Sequence, residues 1–172
     1  MRSTDSRIWL KPVRTLTCSS LDCRNRTTTW PGGASRLSIA NIDSLLACTK
    51  VNNNTVRLAA GAFSNQGYIV CVPGGQTADL TVTSGTSGQY RKDYVVAEFV
   101  RGGGAVADAH VFMVIAGTPA ASAGAAAYPT LTQNNLATGG TTRQEPLYGL
   151  LIEGTTLNAT ITRIAPLSGT YA

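Results

Sequence analysis

The chain brings one imidazole, nine carboxylates and four thiols to any chemistry it could do. His110 stands in the run "AHVFMVIAG" and alternates with Phe112 and Val114, which places it on or beside a sheet face. Nucleophilic catalysis needs a nucleophile, a base within hydrogen-bond reach and a group that orients the base. With a single histidine and no G-x-S-x-G elbow, the imidazole reads as a structural side chain. A glycosidase needs two carboxylates held across a cleft. Asp93 and Glu98 differ in parity along one strand and point to opposite faces, while Glu145 and Glu153 flank a different strand. The stretch "RGGGAVAD" has the glycines of a phosphate cradle but no lysine, and no helical pattern follows it, so it reads as a loop. The expectation is a protein that is not an enzyme and needs no cofactor.

Of the cysteines, Cys18 and Cys23 are spaced C-x4-C, and Cys48 and Cys71 have no Cys or His close by. Zinc sites want tighter pairs of ligands, so no metal is expected and the thiols read as small half-buried apolar groups. A Cys18–Cys23 bridge stays open as an alternative in an oxidising medium.

Charged residues make up 13 % of the chain, against about 25 % in an ordinary domain. Small neutral residues fill the difference, a composition common where subunits touch on many sides. The net charge is +5. The basic residues are densest near the N-terminus, at Arg2, Arg7, Lys11, Arg14, Arg24, Arg26 and Arg36, without a consecutive block or interleaved aromatics. Nucleic acid is therefore not expected as the main ligand. A basic arm that docks on an acidic neighbour accounts for the pattern. The opening "MRSTDSRIWLKPVR" lacks the apolar core of a secretion signal, and no stretch reaches the roughly 18 apolar residues of a membrane span. Without such a signal the acceptor patterns at Asn53 and Asn158 carry little weight.

The elements that must position these residues follow from the apolar period. Residues 1 to about 34 are polar and irregular, ending in "TTTWPGGAS", yet they hold both tryptophans, Trp9 and Trp30. Such residues anchor contacts, so the segment reads as an arm packed on its own domain or on a neighbour. Over 38–49, Ile39, Ile42, Leu45, Leu46 and Thr49 follow helical spacing behind a Ser38 cap and predict a short helix. After that the period becomes two. "TVRLAAGAF", "GYIVCV" (stopping at Pro73-Gly74-Gly75), "ADLTVTSG", "YRKDYVVAEFV", "AHVFMVIAG", "EPLYGLLIEG" and "TTLNATITRIA" predict six or seven strands. The run "AHVFMVIAG" is apolar on both faces and is expected at the centre of a sheet or between sheets. The stretch from Thr118 to Thr142 predicts an exposed excursion, and "EGTT" a hairpin loop. The reading is a mainly β chain: an N-terminal arm and short helix over 1–50, then an antiparallel β-sandwich or small barrel over 51–172.

From about Val56 to Ile164, roughly two thirds of the chain, an ordered series resembles a domain of tailed-bacteriophage baseplate and tail-fibre proteins. The series runs from an apolar strand around a glycine, "LAAGAFSNQGYIV", to the Thr/Val strand "ADLTVTSG". Next come the Arg-x-Asp entrance to a valine-rich strand, "YRKDYVVAEFV", then a strand leading into Gly117-Thr118-Pro119-Ala120, and last the Pro-Leu-Tyr strand "EPLYGLLIEGTTLNATITRI". The resemblance implies a β-sandwich, commonly trimeric, that links a baseplate or adsorption device to receptor-binding parts of the virion. Partners would be further copies of the chain and other virion proteins. Arg91 and Asp93 would make local or intersubunit ion pairs at the strand entrance, with Val95, Val96 and Phe99 as sheet core. The expected function is thus that of a structural virion protein in the baseplate, tail tip or tail-fibre connector. Two alternatives are a capsid-decorating head fibre or cement protein, and a carbohydrate-binding module for host surface glycans. The last would use exposed tyrosines, with Tyr128, Tyr148 and Tyr171 as candidates and a buried sheet position as the plainer reading for Tyr148.

Overall fold

The computed structural model describes residues 36–38 and 45–165. Two antiparallel sheets stack on one core. The first contains β1 (Arg36–Ser38), β2 (Cys48–Asn52), β3 (Thr55–Asn65) and β4 (Tyr68–Thr81). β3 is its centre: β4 lies along one side, and β1 and β2 pair with opposite ends of the other. The second contains β5 (Tyr90–Val100), β6 (Ala109–Ile115), β7 (Thr142–Glu153), β8 (Thr156–Leu157) and β9 (Thr162–Arg163), in the order β6-β5-β7, with β8 and β9 on the far side of β7. Alternation does the sorting. Val56 and Leu58 of β3, Val70 and Val72 of β4, Val95 and Ala97 of β5, and Leu147, Leu150 and Ile152 of β7 share the core with Phe63. The intervening Arg57 and Asp79 pair on the outer surface at 2.6 Å. The sandwich expected from the sequence is present, and its first sheet begins before residue 51.

Four expectations change. No helix forms in the described part of 38–49; residues 39–44 lie outside the described residues. Leu45 and Leu46 turn through the left-handed region at φ 54° and 53°, and Cys48 already belongs to β2. Such a backbone costs about 1–3 kcal/mol per residue and survives because tertiary bonds hold it. Tyr148 donates its hydroxyl to Leu46 O at 2.8 Å, and Arg163 donates to Leu45 O at 2.6 Å. Leu46 N also donates to Ala60 O across the sheet. The helical period was real, but a helix this short has little stability of its own to set against those contacts.

β4 does not stop at Pro73-Gly74-Gly75. Val72 pairs with Gly61 and Thr77 with Ala59, so residues 73–76 bulge opposite a single residue of β3. A proline fits there because β4 is an edge strand and needs no donor on its outer side. β6 is also an edge and not a centre, pairing only with β5 among the described strands. Its His110, Phe112 and Val114 face the core side, while Val111, Met113 and Ile115 lie on a partly covered outer face, which explains an apolar pattern on both sides. The last predicted strand is broken into β8 and β9, since the Asn158 side chain accepts from Thr160 N and bends the chain.

The stretch from 116 to 141 is exposed over most of its length, as expected, and is anchored at both ends. It leaves β6, forms two backbone bonds between Ala120 and Tyr90, crosses the outer face of the second sheet, and buries Ala126 and Leu136. It returns beside β7 through bonds between Thr132 and Gln144.

Candidate interaction surface

Two arginine–carboxylate pairs hold this loop, one at each end. Residues i and i+2 of a strand share a face, so an Arg-x-Asp or Arg-x-Glu sequence sets a cation beside its own carboxylate. In β5, Arg91 donates to Asp93 through Nε (2.8 Å) and Nη2 (2.9 Å), a bidentate pair buried in the domain. The same guanidinium donates to Thr83 O and Ser84 O, tying down the connection that follows β4. Asp93 Oδ1 then accepts the Gly117 amide at 3.0 Å, at the start of the loop. Only glycine fits at 117: a Cβ there would collide with Lys92 O and Ala127 O. In β7, Arg143 donates to Glu145 at 2.6 Å and, through Nη1, to Gln133 O (3.2 Å) and Asn134 O (3.0 Å), where the loop returns. β5 and β7 are antiparallel, so the two clamps sit at opposite ends of the sheet.

Between the clamps lies an aromatic platform. Tyr128 stacks on Tyr94 with centroids 4.2 Å apart and planes 5° apart, and Lys92 Nζ lies 5.8 Å from the Tyr128 ring. The ring reaches this position because its stacking partner Tyr94 is paired with Gly149, where any Cβ would run into the Tyr128 hydroxyl. Burial, and then the neighbouring Tyr94, push the Tyr128 phenol above its usual range. Replacing Gly149 with alanine is expected to displace Tyr128 and cost about 1 kcal/mol in urea unfolding, the lower end for overpacking. In a Tyr128→Ala background the same substitution should cost almost nothing, a coupling that a double-mutant cycle reads directly.

Among the described residues, Cys48, Tyr148 and His110 are engaged in packing. Burial pushes the Cys48 thiol up to about 12, with Arg163 opposing, so it stays protonated. Tyr148 is a buried sheet residue, its ring beneath the Arg163 guanidinium at 4.9 Å. His110 meets Phe99 edge-on at 5.7 Å beside Tyr68, which itself packs on Phe99 at 4.0 Å. Neither ring nitrogen makes a hydrogen bond of good geometry, though the Ile69 backbone lies close by and slightly favours the charged form. Burial dominates and lowers the His110 pKa to about 4. The folded state thus resists a proton that the unfolded chain accepts near 6.5. Stability from this group is complete above about pH 6.5 and falls away as the pH drops toward 4. The expected loss is about 1–2 kcal/mol, allowing for solvent screening of a half-buried ring. Comparing melts of wild type and His110→Phe across that window isolates it, since the variant lacks the proton-linked slope.

Of the residues singled out in the sequence, Arg91 and Asp93 form one local clamp, and Tyr128 sits exposed between the clamps. Trp9, Trp30, Tyr171, Cys18 and Cys23 lie outside the described residues. The sequence reading places Glu145 only at the flank of a strand and leaves out Arg143, whereas the structure buries the two as a pair within β7. The signal available was the repeat of Arg-x-acid at the start of two apolar strands. Among the described residues no group of three His, Cys, Asp or Glu side chains is placed to hold a metal ion. Compared with protein-family models, curated proteins and solved structures, the chain matches none.

Proposed function

We propose that the chain is a structural protein of a tailed-phage virion, a baseplate, tail-tip or fibre-connector subunit that works by assembling with its own copies and with neighbouring virion proteins. The observation that carries this reading is spatial. The separate pieces of the phage-like series meet as one unit. The Arg91-x-Asp93 entrance binds the amide of Gly117, which opens the Gly-Thr-Pro-Ala turn. Ala120 of that turn bridges back to Tyr90, and Pro146 and Tyr148 of the Pro-Leu-Tyr strand face Val96 and Val95 of β5. Paired internal charges and a surface of small neutral residues suit a subunit that works through contact, and its place would be the virion.

Gold-labelled antibody against the purified protein, applied to intact particles, tests this. Label at the tail end supports the reading, label spread over the head favours the capsid-decorating alternative, and particles without the protein overturn both. The stacked, exposed Tyr128 beside Lys92 favours one further reading, a platform for host surface sugars. A glycan array with wild type and Tyr128→Ala decides it, since only a sugar-binding platform loses signal in the variant.

A further inference from the structure

One corner of the sandwich closes over polar side chains that it does not satisfy. β4 and β6 approach each other there without pairing, so no ladder of hydrogen bonds joins them. Tyr68 of β4 packs on Phe99 at 4.0 Å, and Phe99 meets His110 of β6 edge-on at 5.7 Å. Both ring nitrogens of His110 are buried without a hydrogen-bond partner. Asn65, the ladder partner of Tyr68, is fully buried, and both polar atoms of its carboxamide are unpartnered as well. A buried polar group without a partner favours any conformation that hydrates it. Two of them at one corner make that corner cheaper to open than the apolar centre around Val56, Leu58 and Leu150.

The polar ties across the corner are short-range and few. Gln66 and Gly67 make the β3–β4 turn in the left-handed region, at φ 48° and 92°. Gln66 Oε1 accepts from Leu136 N at 2.7 Å, and Arg101 donates to Leu136 O at 2.9 Å and to the Tyr68 hydroxyl at 3.3 Å. The Leu136 amide thus keeps its bond only while the hairpin tip is docked. A charged His110 gains no counter-ion in this setting. The cations nearby are Arg101 and Arg143, the latter being the ladder partner of Phe99 on β7. Of the carboxylates, Glu145 is bound to Arg143, and Asp108 accepts from Gly102 N at the surface. Glu98 lies on the other face of β5 with Gln144. Tyr68 brings a phenol and β4 only the Ile69 backbone. In an open corner His110 takes up a proton near its ordinary 6.5, whereas burial holds it at about 4 in the closed one, so acid favours the open form.

We propose that this corner is an acid-operated hinge: protonation of His110 parts the β3–β4 hairpin tip from β6 and η1 (Leu136–Thr138) and bares the Tyr68–Phe99 pair while the rest of the sandwich stays folded. The inference goes beyond the loss of overall stability in acid, since it says where the chain yields first, and it does not rest on the virion reading. Amide hydrogen exchange of the full chain tests it, read as protection relative to the intrinsic rate at each pH. The Leu136 amide, bonded to Gln66 across the corner, should lose at least about tenfold in protection between pH 7 and pH 5. The Ala59 amide, bonded to Ala47 O and six residues along β3 from Asn65, should hold its protection over the same range. In His110→Phe the Leu136 amide should hold its protection too. His110→Gln, neutral at both pH values, should behave the same and decides the matter if the phenylalanine variant folds poorly. Leu136 protection that stays flat in wild type overturns the proposal. So does an equal loss at Ala59, which would be global unfolding, or a loss that persists in both His110 variants, which would belong to another group.

Discussion

Replacing Asp93 with alanine is expected to cost about 3–5 kcal/mol. The carboxylate is fully buried and serves two donors at once, the Arg91 guanidinium and the Gly117 amide. Removing it leaves a buried cation without its counter-ion and frees the start of the loop, the situation in which breaking a buried pair is most costly. For a chain of this size each kcal/mol corresponds to about 2–4 °C in the melting midpoint. Urea unfolding measures the loss, and hydrogen exchange at Gly117 shows whether the loop is released. The double replacement Arg91→Met with Asp93→Leu should recover much of the stability, because a buried pair exchanged for apolar groups of similar volume is often neutral. The loop should not recover with it, since leucine accepts nothing from Gly117. A double variant as unstable as Asp93→Ala would show that the bonds to Gly117, Thr83 and Ser84, not the ion pair, carry the energy.

Glu145→Ala should cost a comparable 3–5 kcal/mol at the other end of the sheet. Glu145 is fully buried against Arg143, and Arg143 gathers the carbonyls of Gln133 and Asn134 where the loop returns to β7. Without the carboxylate the guanidinium loses the group that orients it, and the return of the loop loosens. Asp93 and Ala97, the ladder partner of Glu145, are four residues apart on β5, or about 13 Å at 3.3 Å per residue. Sites so separated add to within about 0.5 kcal/mol unless something couples them. Unfolding of Asp93→Ala, Glu145→Ala and the double variant therefore reports on the loop itself. A shortfall from additivity means that the loop transmits strain from one clamp to the other.

Much of the sandwich was legible because its strands have one wet face. Val56, Leu58 and Ala60 against Arg57, and Ala78, Leu80 and Val82 against Asp79, kept the period and the faces that the alternation predicts. Places where contacts between distant segments decide the outcome were not legible. Leu45 and Leu46 have helical spacing, but Tyr148 and Arg163, over a hundred residues away, claim their carbonyls. β6 has the apolar pattern of a central strand, yet only its pairing shows that it forms an edge. The loop after it looked like an excursion because alanine and glycine carry no pattern, and its anchors are backbone groups caught by Asp93 and Arg143. Of the candidate site, the first clamp was visible as charges at a strand entrance and the second was not. Tyr128 stood out as an aromatic in a small-residue run, but its seat on Gly149 depends on register.

Assembly is the centre of this account, and the mass of the full chain in solution tests it most directly. Light scattering on the purified protein over a range of concentrations should give a closed oligomer of the 17.9 kDa chain, three copies in the phage-like reading. A particle of 17.9 kDa at every concentration would contradict it.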